Sequence, residues 1–80
     1  MKSDEAIFKA VELELVRARA KYTKPRNPIQ SLNPILAEVY EAKNELEYDE
    51  PDYEAARVEL VHVIVTAVRA IESIDERMGD

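Results

Sequence analysis

The sequence predicts an all-α fold, a single domain over residues 1–80 built from three helices. Apolar residues recur at intervals of three and four, and the strict alternation of a strand is absent. The chain has one glycine, and prolines separate its periodic segments. A lone chain of 80 residues buries a limited core, so we expect a metal or a partner to add stability.

The first helix is predicted over about residues 4–22, with Ser3 or Asp4 as its N-cap. One face should be buried, because an apolar stripe runs along the segment at alternating spacings of three and four residues. The stripe consists of Phe8, Val11, Leu15, Ala18 and Tyr22. Residues 23–32 contain two prolines and no recognised periodicity, which predicts a loop.

The second helix is predicted over about residues 34–48, because Asn33 is a good N-cap and Pro34 fits the first helical position. Glu38 and Glu41 share one face of this helix, since residues three apart project the same way. They border the apolar side rather than opposing it, so both can reach inward. A solvated acidic face is the alternative interpretation.

The third helix is predicted over about residues 51–77, with Pro51 at its start. Its middle part, residues 58–71, is apolar around most of its circumference, which is typical of a buried helix. One narrow polar line interrupts it, formed by Glu59, His62, Thr66 and Arg69. Polar groups in that position need partners or a ligand.

Two short helices can cover only part of such an apolar surface. The sequence therefore predicts a homodimer or higher oligomer in which third helices pack together and complete a helical bundle, with C2 symmetry the commonest arrangement. A tight monomer core is the alternative.

Charge and composition exclude several classes of function. The formal net charge of −6 argues against binding to a nucleic acid polymer, whose phosphates favour a basic surface. No cysteine is present, which excludes disulfides and fits a reducing compartment. No stretch approaches the roughly 20 apolar residues that cross a bilayer, and the first residues lack the apolar core of a secretory signal. We expect a cytoplasmic protein without membrane contact.

Two motifs carry the chemistry, Glu38-x-x-Glu41 and Glu59-x-x-His62. If the second and third helices pack antiparallel, four side chains can converge on one divalent cation, with three oxygen ligands and one nitrogen ligand. Such a set suits Mn²⁺ somewhat better than Mg²⁺. A hydrogen-bonded histidine inside the core is the alternative role for His62.

Basic residues gather near the end of the first helix and in the loop after it. They are Arg17, Arg19, Lys21, Lys24 and Arg26. This group predicts an anion-binding surface. The alternative is that the cations only complement the negative end of the helix dipole.

Residues 36–42 (LAEVYEA) followed by residues 58–63 (VELVHV) resemble the MazG-like all-α nucleoside triphosphate pyrophosphohydrolases, whose hallmark is ExxE, a spacer and ExxD. Residues 17–22 (RARAKY) and the loop after them are similar to the first helix and loop of small MazG-like proteins. The resemblance covers about residues 12–75. It implies Mg²⁺-dependent release of pyrophosphate from a nucleoside triphosphate, with Glu38, Glu41 and Glu59 as metal ligands.

This chain departs from the family at His62, which replaces the aspartate of ExxD. A neutral imidazole lowers the expected affinity for Mg²⁺, so a member that has lost hydrolysis stays an alternative. For the enzyme, Glu45 is a candidate for the water-activating base and Lys21 for a cation that stabilises the leaving group. The cations available to the phosphates are Arg17, Lys21, Lys24, Arg26 and Arg69.

Two other classes of function stay open. Glu59-x-x-His62 also resembles the Glu-x-x-His motif of di-iron and di-manganese carboxylate bundles, which a dimer would supply twice. The other class is a non-catalytic helical oligomerisation module, in which Glu59 of the polar line only pairs with Arg69 or His62.

Overall fold

The structure is a computed structural model that describes residues 3–22 and 27–79. Over these ranges it consists of three helices and no strand: α1 (Asp4–Lys21), α2 (Pro28–Glu47) and α3 (Tyr53–Arg77). The all-α prediction is confirmed, and the bounds of α1 and α3 differ from the predicted ones by one or two residues. None of the helices described is both long and apolar enough to cross a membrane.

Side chains cap the N-termini of the first and third helices. The Ser3 hydroxyl accepts a hydrogen bond from the Ala6 amide at 3.3 Å. The Asp52 carboxylate accepts one from the Ala55 amide at 3.0 Å. Each cap satisfies a backbone donor that has no partner within the helix, which explains why α3 begins after Asp52 and not at Pro51.

The predicted start of the second helix at Pro34 is wrong, because α2 begins at Pro28. The Asn-Pro signature of residues 33–34 recurs at residues 27–28, and the first of the two starts the helix. The Asn27 side chain accepts a hydrogen bond from the Ile29 amide at 3.1 Å. Pro34 then lies inside the helix, where it removes one backbone hydrogen bond without ending the helix.

The third helix packs against both other helices, most extensively against α2. The face of α2 that is turned away from solvent has spacings of four and three residues. It consists of Ser31, Ile35, Glu38, Ala42 and Glu45. Two glutamates therefore lie within this face, where the sequence predicted glutamates at its border.

The apolar core of the described chain is made of small side chains. Its buried members are Ala18, Ala42, Ala56, Val61, Val65 and Ala70. Val61 and Val65 of α3 form a cluster with Ala18 of α1, and other residues of α1 pack around it. Many large apolar side chains are exposed instead, so the hydrophobic stabilisation of one copy is limited.

Arg69 links α3 to the C-terminal end of α1. Its guanidinium group donates to the Tyr22 carbonyl at 3.0 Å and approaches the Ala18 carbonyl at 3.5 Å. Carbonyls at a helix C-terminus lack partners within the helix, and the helix dipole favours a cation there.

We expect Arg69→Met to lower the free energy of unfolding by roughly 1–3 kcal/mol, because it keeps the aliphatic stem but removes the donors. Urea unfolding measures the change. Arg19→Met is the matched control, since the exposed Arg19 side chain forms an ion pair with Glu72 at the surface and its replacement should cost less than about 1 kcal/mol. Equal losses in both variants would contradict the assigned role of Arg69.

Candidate functional site

The polar line of α3 is turned toward the other helices, and all four of its side chains are half-buried. Each of them meets a group on α1 or α2. Arg69 reaches the end of α1, as described above, and the other three contact acidic side chains. The sequence predicted that these polar groups need partners, and the described residues supply them.

Glu59 lies beside Glu41 of α2, close enough for a hydrogen bond between the two carboxyl groups. Such a bond forms only when one of them carries a proton, so contact with Glu41 raises the pKa of Glu59. Partial burial and the negative charge of Glu41 raise it further. Two acidic groups from different helices are therefore held together at a free-energy cost.

Glu38 is one of two half-buried acids of α2, the other being Glu45. Burial raises its pKa, and the nearby charges of Glu41 and Glu14 add to the effect. The Thr66 hydroxyl lies 3.3 Å from Glu38 Oε2 but only 2.8 Å from the His62 carbonyl oxygen. The proximity of His62 and this contact with Thr66 both lower the pKa of Glu38, but burial outweighs them.

Glu14 of α1 is a site residue that the sequence analysis missed. Its Oε1 atom lies 3.3 Å from His62 Nε2. Arg17 donates to both carboxylate oxygens, with Nη2 to Oε1 at 2.8 Å and Nε to Oε2 at 3.1 Å. This contact with Arg17 lowers the pKa of Glu14. A signal was present, since Glu14 follows Val11 by three residues and precedes Ala18 by four, the spacing of the predicted stripe. The prediction that this whole stripe is buried is wrong at its ends, because Phe8 is 66% and Tyr22 54% exposed.

Glu38, Glu41, Glu59 and His62 form what we call the acidic cluster. The packing of α2 on α3 places the other three side chains near enough to influence the pKa of Glu59. In the described part of the chain, however, no three acidic or imidazole side chains are already gathered closely enough to hold a metal ion. The predicted metal site stays a prediction.

The donor set of the acidic cluster nevertheless fits a divalent cation. Carboxylate oxygens are the ligands that Mg²⁺ and Mn²⁺ prefer, and Mn²⁺ also accepts an imidazole nitrogen. The pKa values of Glu38 and Glu59 are raised, which means that their charged forms are disfavoured. A bound cation would stabilise these charged forms.

A cavity of about 340 Å³ opens between the three helices beside the acidic cluster. Its walls are formed by Glu14, Arg17, Ala18, Tyr22, Gln30, Ser31, Pro34, Glu38, His62, Val65, Thr66 and Arg69. Glu38 and His62 thus belong to both the cluster and the cavity. The Ser31 hydroxyl is buried in this wall and has no hydrogen-bond partner among the described residues.

The remaining predicted site residues lie elsewhere. Lys21 is exposed, with its ammonium group 5.4 Å from the centre of the Tyr22 ring, and it is not part of the cavity wall. Glu45 is half-buried near the end of α2, also away from the cavity wall. Lys24 and Arg26 lie outside the described residues. The roles assigned to these four residues stay predictions.

The chain matches no protein-family model, no curated protein and no solved structure. The resemblance to MazG-like proteins therefore depends on the sequence motifs of residues 17–22, 36–42 and 58–63.

The raised pKa values in the acidic cluster predict how stability depends on pH. An acid whose pKa is higher in the folded state contributes stability that is complete below its unfolded pKa and is lost as the pH rises through the folded pKa. Without metal, Glu59→Gln should therefore raise the melting temperature near neutral pH, and this gain should vanish in acid.

Thermal unfolding in a chelator from about pH 4 to 8 measures the effect. Glu12→Gln, at an exposed position of α1, is the control and should change little. A gain that is equally large at every pH would contradict the electrostatic origin.

Proposed function

We propose that this chain is a metal-dependent nucleotide pyrophosphohydrolase that acts as a homo-oligomer. One observation carries the proposal: the packing of α2 on α3 brings Glu41 close to Glu59, while Glu38 and His62 of the same cluster line a cavity whose wall also contains Arg17 and Arg69. Negative charge that attracts a cation and positive charge that attracts phosphates therefore lie next to each other. Hydrolysis of a phosphoanhydride needs both.

The residues of the acidic cluster would hold Mg²⁺ or Mn²⁺, with three carboxylates and the imidazole of His62 as ligands. Such an ion, when bound, supplies positive charge to the phosphates and lowers the pKa of a water molecule. Arg17 and Arg69 have other partners in Glu14 and in α1 carbonyls, which fix their guanidinium groups at the cavity wall. Further N–H groups on each guanidinium can donate to phosphate oxygens.

Glu14 supports the proposal because it lies beside His62, the residue at which the chain departs from the family motif. His62 replaces the aspartate of ExxD, which removes one negative charge. Glu14 brings a carboxylate to 3.3 Å from that imidazole and shares it with Arg17, so α1 can supply a carboxylate where position 62 lacks one. On this proposal Glu14 compensates for the substitution, and the chain keeps its affinity for a divalent cation.

The oligomer is proposed from an apolar stripe on the solvent side of α3, which we call the α3 stripe. It consists of Leu60, Ile64, Ala67, Ile71, Ile74 and Met78, at spacings of four and three residues. Apart from the half-buried Ala67, these residues are at least 41% exposed in the single chain. This is the pattern with which helices pair in coiled coils and bundles, and a C2 dimer would bury it.

The direct test is incubation of the purified protein with individual nucleoside triphosphates and Mg²⁺ or Mn²⁺, with pyrophosphate and nucleoside monophosphate both measured. We expect equimolar release of the two products from at least one nucleotide. No release from any nucleotide with either metal would contradict the proposal. An iron-loaded sample with oxo-bridged ferric absorption and no pyrophosphate release would favour the di-metal carboxylate bundle instead.

A further inference from the structure

His62 of α3 meets α1 through one edge of its imidazole ring. Its Nε2 atom lies 3.3 Å from Glu14 Oε1, and both side chains are half-buried. A neutral imidazole has one nitrogen with a proton and one with a lone pair. An unprotonated Nε2 would turn its lone pair toward the carboxylate oxygen, and the two would repel each other. The contact therefore favours the form of the imidazole that carries its proton on Nε2.

The Glu14 carboxylate that faces this nitrogen is itself held in place by Arg17. The guanidinium group donates to both carboxylate oxygens, from Nη2 at 2.8 Å and from Nε at 3.1 Å. Charge-assisted bonds to both oxygens fix the orientation of a carboxylate. The same contact lowers the pKa of Glu14, which favours the charged form. A fixed negative charge thus lies next to His62 Nε2.

The other nitrogen of His62 is the one left for a metal ion. With the proton on Nε2, only Nδ1 has a lone pair that a cation can accept. The imidazole is also close enough to Glu38 and Glu59 to influence the pKa of both acids. One side chain therefore meets α1 through Nε2 and lies near the carboxylates of the acidic cluster.

We propose that Glu14 is a positioning residue, which accepts a hydrogen bond from Nε2 of His62 so that His62 binds the metal ion through Nδ1. This inference rests on the proposed metal centre. In proteins, histidine ligands of metals commonly donate their second N–H group to a carboxylate, which fixes the ring and makes the coordinating nitrogen more basic. Glu14 then acts on the metal through His62 and is not itself a ligand.

The test uses the fact that His62 is the single histidine of the chain. Long-range proton–nitrogen NMR spectra of isotope-labelled protein resolve the two imidazole nitrogens and show which one carries the proton. Zn²⁺ serves as a diamagnetic substitute for Mn²⁺, since it also binds imidazole and carboxylate groups. We expect Zn²⁺ to shift the Nδ1 resonance while the proton stays on Nε2. Zn²⁺ bound to Nε2, or imidazole resonances that Zn²⁺ does not shift, would overturn the inference.

Two variants of Glu14 separate its charge from its ability to accept a hydrogen bond. Glu14→Leu removes both, and the affinity for Mn²⁺, measured by calorimetry, should fall by about 10- to 100-fold. Glu14→Gln keeps an oxygen that can accept the bond, so its loss of affinity should be smaller. Glu12→Gln, at an exposed position of α1, is the control for the change in charge and should bind Mn²⁺ within about twofold of the wild type.

Wild-type affinity in a folded Glu14→Leu variant would also overturn the inference. Circular dichroism shows whether the variant folds, and the spectra of the wild type with Zn²⁺ decide the question if it does not. A protein that releases pyrophosphate but binds Zn²⁺ through Nε2 would disprove the role of Glu14 and leave the proposed function intact. Coordination through Nδ1 and a loss of affinity in Glu14→Leu, without hydrolysis of any nucleotide, would support that role and contradict the proposed function.

Discussion

Glu59→Gln is expected to lower kcat/KM for metal-dependent pyrophosphate release by about 100-fold or more, because it removes a charged ligand from the proposed metal centre. Metal affinity, measured by calorimetry with Mn²⁺, should fall in parallel. The same variant should be more stable than the wild type near neutral pH in a chelator, since the pKa of Glu59 is raised by its contact with Glu41.

Glu59→Gln should therefore raise stability in a chelator while it lowers activity. A residue that only supports the fold loses stability and function together. Glu12→Gln, which removes one charge from an exposed position of α1, controls for the change in net charge and should leave turnover and metal affinity within about twofold. If Glu59→Gln retains wild-type turnover and metal affinity, Glu59 is not a ligand.

Ile64→Lys is expected to dissociate the proposed oligomer and to lower the melting temperature strongly. Ile64 lies in the middle of the α3 stripe and is 41% exposed in the single chain. A lysine at a buried position between two copies leaves an uncompensated charge, which costs roughly 3–5 kcal/mol. Because the buried core of one copy is made of alanines and valines, little else stabilises the separated chain.

Light scattering and thermal unfolding measure these two effects. Val16→Lys is the matched control, because Val16 is an apolar residue of α1 outside the stripe, 68% exposed. It should leave both the molecular mass and the melting temperature near those of the wild type. A wild-type protein that is monomeric and stable at micromolar concentration, or an Ile64→Lys variant that keeps the same mass, would contradict the proposed oligomer.

A helix bound could be predicted where the residues next to it determine it. The first and third helices are long periodic segments with capping residues next to them, so their bounds were predictable within two residues. The start of α2 was not, because residues 27–28 and 33–34 carry the same Asn-Pro signature. Either proline can begin a helix, and local chemistry does not say which one does.

The buried face of α2 shows a second limit. Two sets of residues on this helix have helical spacing, and only packing against α3 selects between them. One set is Ile29, Leu32, Leu36 and Val39, which are exposed in the single chain. The other contains Ser31, Glu38 and Ala42, which are turned away from solvent. The sequence predicted Ile35, Val39, Ala42 and Leu46 as the apolar face, with Glu38 at its border, but Val39 and Leu46 are each 44% exposed.

The candidate site was predictable to a similar extent. The spacing of the two motifs predicted that α2 and α3 bring acids together, and the contact between Glu41 and Glu59 agrees with this. Glu14 is different, because its role depends on a contact with His62, which is far away in the chain. Its spacing to Val11 and Ala18 indicates a position on the packed side of α1, but does not indicate which residue it meets there.

The most direct test of the proposed metal centre is an NMR titration with paramagnetic Mn²⁺. We expect substoichiometric Mn²⁺ to broaden the signals around Glu38, Glu41, Glu59 and His62 selectively, together with those around Glu14. The combined variant Glu38→Gln and Glu59→Gln should abolish the effect. Broadening that is absent, or that spreads evenly over exposed acids such as Glu12 and Glu54, would contradict a single cation site between α2 and α3.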